Sequence, residues 1–366
     1  MRRDGKGGGV VGRLVGSGRI AALPPIVAVG LALNLAIAAA TPVRSAHRAS
    51  RMGGARGANS GGGQETKPPA PSAVPQPQPP PSFAVGVRVL RLIDTSRTIQ
   101  LPNGTSTPRT LLTYVRYPAL GPPRQADLLD APAARAAGPF PLVIFGHGFG
   151  VTPRLYGHLM QSWVRAGYVV AAPVFPLGNA YAPGGPDESD IVNQPGDMSF
   201  VISRLLEASR AGSGPLTGLI DSSHIAVSGQ SDGAVTALAV AYSRRFHDPR
   251  VGAAVIMSGA EMSGVGGFTF PRAGPPLLAT QGSADRINEP RFTYQFFNSA
   301  RGPKYLLRLL GAGHLPPYTR QQPQLSIVER VTLAFLDGYL KHRPQTLQQL
   351  ASLGSAPGIA AVAADP

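Results

Sequence analysis

The chain is 366 residues long, with 45 Gly, 38 Pro, no cysteine and a formal net charge of +15. Without cysteine there is no disulfide framework, thiol nucleophile or lipoprotein anchor, and the lack of His/Asp/Glu clusters at ligand spacing argues against a structural zinc site. The charge does not mark a nucleic-acid binder: residues 1–82 hold ten Lys/Arg against Asp4 and Glu65, and the remaining excess is spread without a basic run or interleaved aromatics. A basic surface of this kind suits contact with an anionic membrane or cell envelope.

Basic residues precede an uncharged stretch over 20–40, whose last part (26–40) has the length of a signal-peptide apolar core and ends in Ala38-Ala39-Ala40, an A-x-A cleavage pattern. Pro24-Pro25 interrupts a full spanning helix, which favours a cleaved export signal over an uncleaved N-terminal anchor. Residues 41–82 turn Gly-rich and then Pro-rich and cannot bury enough apolar area to offset ordering entropy, so they read as a disordered to polyproline tether. The expected organisation is an export segment over 1–40, a linker over 41–82, a folded domain over 83–344 and a tail over 345–366. The protein is accordingly expected outside the cell or in its envelope.

The folded region reads as one mostly parallel, doubly wound α/β sheet with helices on both faces. Strands at 85–93 and 111–117 make an antiparallel start around the Pro102-Asn103-Gly104 turn. Alternating elements follow: strand 140–146, helix 155–165, strand 168–172, helix 195–208, strand 224–229, helix 233–243, strand 251–257, strand 276–281, helix 289–299, strand 304–310 and helix 324–342. Only about fifteen residues separate the strand at 251–257 from the next, too few for a helical cap. The site should therefore be an open groove, with the irregular 177–192 segment (Tyr181, Asp187, Glu188, Asp190) as its best candidate wall.

Two motifs stand at the ends of apolar strands. Gly146-His147-Gly148-Phe149-Gly150 follows strand 140–146 and can offer the Phe149 N–H to a developing oxyanion. Gly229-Gln230-Ser231-Asp232-Gly233 has the form G-x-S-x-G between a strand and a helix, the setting that holds a serine in a strained turn with its hydroxyl exposed. The Asp232 N–H, at the new helix's N-terminus, would be the second oxyanion donor.

A serine hydroxyl needs a base, and the base needs an orienting acid, following in that order along such a chain. Of the histidines after Ser231, His247 lies in a polar loop and comes too early, and His342 ends the last helix. His314, in the Gly311-Ala312-Gly313-His314 loop after strand 304–310, is the expected base. Asp285, after strand 276–281, is the favoured acid, with Glu261 the alternative from the earlier strand. Phe149 and Tyr156 are expected to contact substrate, whereas Trp163 reads as core and His158 as a half-exposed helical residue.

These residues together resemble the α/β-hydrolases. The likeness is strongest to uncapped bacterial esterases related to platelet-activating-factor acetylhydrolase, chlorophyllase, dienelactone hydrolase and cutinase-like polyester hydrolases. It spans roughly residues 83–344 and includes Ala166-Gly167-Tyr168-Val169-Val170-Ala171-Ala172-Pro173. The departure is Gln230-Ser231-Asp232, where many esterases carry histidine before the serine and an apolar residue after it. The resemblance implies a cofactor-independent carboxylic ester hydrolase acting on lipid-like, small or polyester substrates. An amidase or peptidase on the same residues, or a non-catalytic envelope-binding protein on the same scaffold, is the alternative. Haloalkane dehalogenase and epoxide hydrolase chemistry would need a carboxylate where Ser231 stands.

Overall fold

The computed structural model describes residues 82–365. The expected export segment and all but the last residue of the expected linker lie outside them. The long strands β1 (Ala84–Gln100) and β2 (Ser106–Ala119) pair antiparallel around a turn closed by Gly104. β1 runs past the expected end at residue 93 because an irregularity between Asp94 and Thr98 is held internally: Asp94 Oδ1 accepts from the Ser96 N–H at 3.0 Å and Oδ2 takes Arg97 Nε at 2.6 Å.

A two-residue bridge, β3 (Leu128–Leu129), joins the edge beside β1. The alternating units then follow: β4 (Phe140–Gly146), α1 (Gly157–Arg165), β5 (Val169–Pro173), α2 (Gln194–Arg210), β6 (Ile220–Gln230), α3 (Asp232–Tyr242), β7 (Val251–Met257), β8 (Leu277–Gly282), α4 (Pro290–Ser299), β9 (Lys304–Leu309) and α5 (Gln324–Leu340). β5, β4, β6, β7, β8 and β9 are parallel neighbours in that order, and β2 joins them antiparallel to β5.

The parallel strands are continuous apolar runs because both faces are covered. β4 illustrates it: Leu142 and Ile144 pack with Met198, Val201 and Leu238 of α2 and α3, while Val143 and Phe145 pack with Leu159, Trp163, Val328 and Phe335 of α1 and α5. Trp163 is wholly buried, and its Nε1–H donates to Thr332 Oγ1 at 2.8 Å, so the indole ties α1 to α5.

The tail departs from the expected domain boundary at residue 344. After α6 (Pro344–Gln348) and α7 (Leu350–Gly354), β10 (Ala360–Asp365) pairs antiparallel with β9 and completes the sheet, so residues 345–365 belong to the fold. Between β7 and β8 the chain holds a single short 3-10 turn, Ser263–Val265, and no helical cap. No helix among the described residues is long and apolar enough to cross a membrane.

The chain proceeds from β4 to β5 on one side and to β6 on the other. In open sheets of this kind the crevice beyond the strands' C-terminal ends, where the order reverses, is where ligands bind. Gly146 and Gly229 are register partners there, bringing the two glycine motifs side by side.

Candidate active site

Ser231 sits between β6 and α3 at φ 58°, ψ −123°, a backbone conformation that non-glycine residues rarely hold. Its surroundings enforce the turn. A Cβ on Gly229 would collide with the Gly233 carbonyl, and one on Gly233 with the Gly146 carbonyl, so neither position admits a side chain. The hydroxyl of Ser231 lies 2.8 Å from His314 Nε2, and His314 Nδ1 lies 2.7 Å from Asp285 Oδ2. With the proton on Nδ1, His314 donates to Asp285 and leaves Nε2 free to accept from the serine.

Asp285 is buried and fixed from several directions. Its Oδ1 accepts the N–H groups of Ile287 and Asn288 at 2.9 and 3.0 Å, and Gln281 Nε2 donates to Oδ2 at 3.3 Å. The loops bearing acid and histidine are joined directly: Ala284 N–H donates to the Ala312 carbonyl at 2.9 Å, and Gly311 N–H to Ser283 Oγ at 2.9 Å. Glu261, the alternative acid, makes no hydrogen bond among the described residues and does not reach His314.

The 146–150 turn leans against the serine: a Cβ on Gly148 would stand 3.2 Å from Ser231 Cβ and 3.1 Å from Gln230 Oε1. Neither the Phe149 N–H nor the Asp232 N–H has an acceptor among the described residues. Asp232 opens α3, where the helix dipole adds to its N–H. His147 holds the turn in place. It is fully buried, its Nδ1–H donates to the Gly148 carbonyl at 2.8 Å, and its Nε2 accepts the Phe175 N–H at 3.0 Å. Burial lowers its pKa to about 4, so the ring is neutral near pH 7.

Tyr156 corrects an expectation: it does not line a groove. The ring is wholly buried against Phe145, and the hydroxyl accepts the Gly148 N–H at 3.3 Å while donating to Gln230 Oε1 at 2.7 Å. Gln230 Nε2 in turn donates to the His314 carbonyl at 3.0 Å and lies 3.3 Å from His314 Nε2. One hydrogen-bonded chain therefore runs from the Gly148 turn through Tyr156 and Gln230 to the histidine loop. A polar residue before the serine, in place of the histidine that many esterases carry there, was its only sequence signal.

The 177–192 segment also differs from a simple groove wall. Asp190 is buried and, with Asp197, clasps the buried Arg109 at 2.6–2.8 Å, an ion-pair cluster that fastens the segment to β2. Asp187 accepts the Ser189 N–H at 2.9 Å and caps the following turn. Tyr181 is left exposed, as are Phe149 and Ile287. His158 and His247 are surface residues, and His342 contacts His224 at 2.8 Å toward the start of β6, whereas Ser231 follows its end.

With this geometry in view, the likeness to known proteins has a frame. Residues 113–258 match the family model described as Chlorophyllase. No curated protein matches the chain. Among solved structures, a ferulic acid esterase from Streptomyces cinnamoneus superposes with a TM-score of 0.55 at 22% identity, over 80% of this chain and 98% of that one. The sheet order and this superposition identify the fold as that of the α/β-hydrolases.

Proposed function

On this α/β-hydrolase frame, we propose that the chain is a serine hydrolase of carboxylic esters. The observation that carries the reading is the run Asp285–His314–Ser231 at 2.7 and 2.8 Å, ending on a serine at φ 58°. In this reading Ser231 Oγ attacks the ester carbonyl while His314 Nε2 takes its proton, and Asp285 steadies the imidazolium that forms. The C–O bond to the alcohol breaks as His314 returns the proton to the leaving oxygen. Water then repeats the sequence on the acyl-enzyme, releasing the acid and restoring Ser231. The Phe149 and Asp232 N–H groups, both without an acceptor among the described residues, favour a two-donor oxyanion hole. The Chlorophyllase match and the esterase likeness support ester chemistry over amide chemistry, and the open site over β7–β8 suits acyl chains or polymers presented from outside.

Export to the envelope or beyond, read from residues 1–40, is part of the same proposal. Hydrolysis of p-nitrophenyl esters from acetyl to palmitoyl, measured beside Ser231→Ala, tests the chemistry. Turnover lost in the variant supports it, and the chain-length optimum sizes the groove. Turnover equal in both proteins, or faster cleavage of matched anilides, would refute it.

A further inference from the structure

Asp232 is a carboxyl beside Ser231 that the proposed chemistry leaves unused. Most other carboxyls around the site are engaged, Asp285 by His314, Asp190 and Asp197 by Arg109 and Asp187 by Ser189, and the two that are not, Glu188 and Glu261, are exposed and half-buried respectively. Asp232 is only 8% exposed, neither of its oxygens accepts a hydrogen bond among the described residues, and Oδ2 is also closed to solvent. Leaving a buried polar group unpaired is costly, and a carboxyl more so than most. Its direction follows from the helix. Val235, one turn along α3 on the same face, packs with Ile191 and Val265, so Asp232 looks toward the turns at 188–193 and 263–265. Glu188 from the first of these and His314 from the catalytic side are its ionisable neighbours.

We propose that Asp232 is a specificity-determining residue whose carboxyl receives a hydrogen-bond donor, a hydroxyl or an ammonium, carried on the acyl part of the substrate. The inference rests on the ester hydrolase reading. Because the N–H of the same residue faces the oxyanion, the donor belongs roughly two or three carbons from the scissile carbonyl. Oδ1 is the oxygen left open: an unsubstituted acyl chain would cover it unpaired, whereas a donor-bearing chain would satisfy it. A site that hydrogen-bonds its substrate rejects analogues lacking the partner far more strongly than an apolar pocket rejects a missing methylene.

The test compares kcat/KM for ethyl butyrate, ethyl 3-hydroxybutyrate and ethyl 3-aminobutyrate, followed by pH-stat, in the wild type, Asp232→Ala and Asp232→Asn. The wild type should prefer one or both substituted esters by roughly tenfold or more. Asp232→Ala should bring the ratio to about one. Asp232→Asn, which keeps an acceptor oxygen but no charge, should retain a hydroxyl preference and lose an ammonium preference, which separates the two donors. Because each ratio is taken within a single protein, a general loss of folding cannot imitate the result. A wild-type ratio near one, or a preference unchanged in Asp232→Ala, overturns the inference. If ethyl butyrate is still cleaved in that case, and not by Ser231→Ala, the ester hydrolase reading survives alone. No turnover of any of the three esters overturns the inference, and the p-nitrophenyl series beside Ser231→Ala then decides the ester hydrolase reading separately.

Discussion

Replacing Tyr156 by phenylalanine separates two pictures of the site. If Tyr156 lined a groove, loss of its hydroxyl would leave stability unchanged and shift KM. In the structure the hydroxyl is buried and has two partners, the Gly148 N–H at 3.3 Å and Gln230 Oε1 at 2.7 Å. The variant keeps the ring packed on Phe145 but strands one donor and one acceptor out of solvent. A buried group left unsatisfied costs about 1–3 kcal/mol, and the long Gly148 bond belongs at the low end, so the pair should cost about 2–4 kcal/mol. At about 2 °C per kcal/mol for a domain of this size, the melting temperature should fall by roughly 4–8 °C. Outright loss of an oxyanion donor lowers kcat by about 10²–10³-fold. Loosening the turn that carries one, and the Gln230 link to the His314 carbonyl, should cost about tenfold in kcat with KM little changed. Thermal denaturation and steady-state kinetics on a short-chain ester measure both. An unchanged melting temperature together with a raised KM would refute the buried-network argument.

Three further outcomes follow from the same geometry. Asp285→Asn should lower kcat by roughly 10⁴-fold, as expected when a histidine loses its orienting carboxylate, while Glu261→Gln stays near wild type; the reverse pattern would move the acid to Glu261. Burial lifts Asp232 to about 7 from an ordinary 3.8, so between these values the native protein holds more protons than the unfolded chain and stability falls as pH rises. The penalty is complete above pH 7, at about 4 kcal/mol, so Asp232→Asn should melt above the wild type at pH 8, with the gap shrinking steadily toward pH 4. A gap that ignores pH would contradict it. His147 has the opposite sign: with its pKa lowered to about 4 from 6.5, it makes the native state bind fewer protons, and up to about 3 kcal/mol of stability is lost as pH falls from 6.5 through 4. His147→Asn should flatten that part of the urea-stability profile, and an unaltered slope would show that some other group produces it.

What the sequence made legible and what it hid divide along a physical line. The apolar runs of β4 to β9 are buried on both faces, so their composition alone marks them as parallel strands, and the order of G-x-S-x-G, Asp285 and His314 follows from which strand each one ends. β10 escaped because four of the six residues in Ala360–Asp365 are alanine, a poor strand former, although Ala360 and Val362 pack onto the core beside β9. Arg109 escaped for a related reason. An arginine in a strand reads as exposed, and its burial depends on Asp190 and Asp197, whose carboxylates come from eighty residues further on. Tyr156 lies next to exposed Arg154 and Leu155 on a 3-10 turn, where spacing says nothing about facing, and its partners Gly148 and Gln230 meet only once β4 and β6 pair. Local pattern thus identifies the atoms that would react, because chemistry demands particular residue types at strand ends. The polar groups that hold those atoms in place are chosen by partners distant in sequence. That same criterion singles out Asp232: among the carboxyls gathered around Ser231 it is the buried one with no partner among the described residues, which is the place a donor on the substrate would fill.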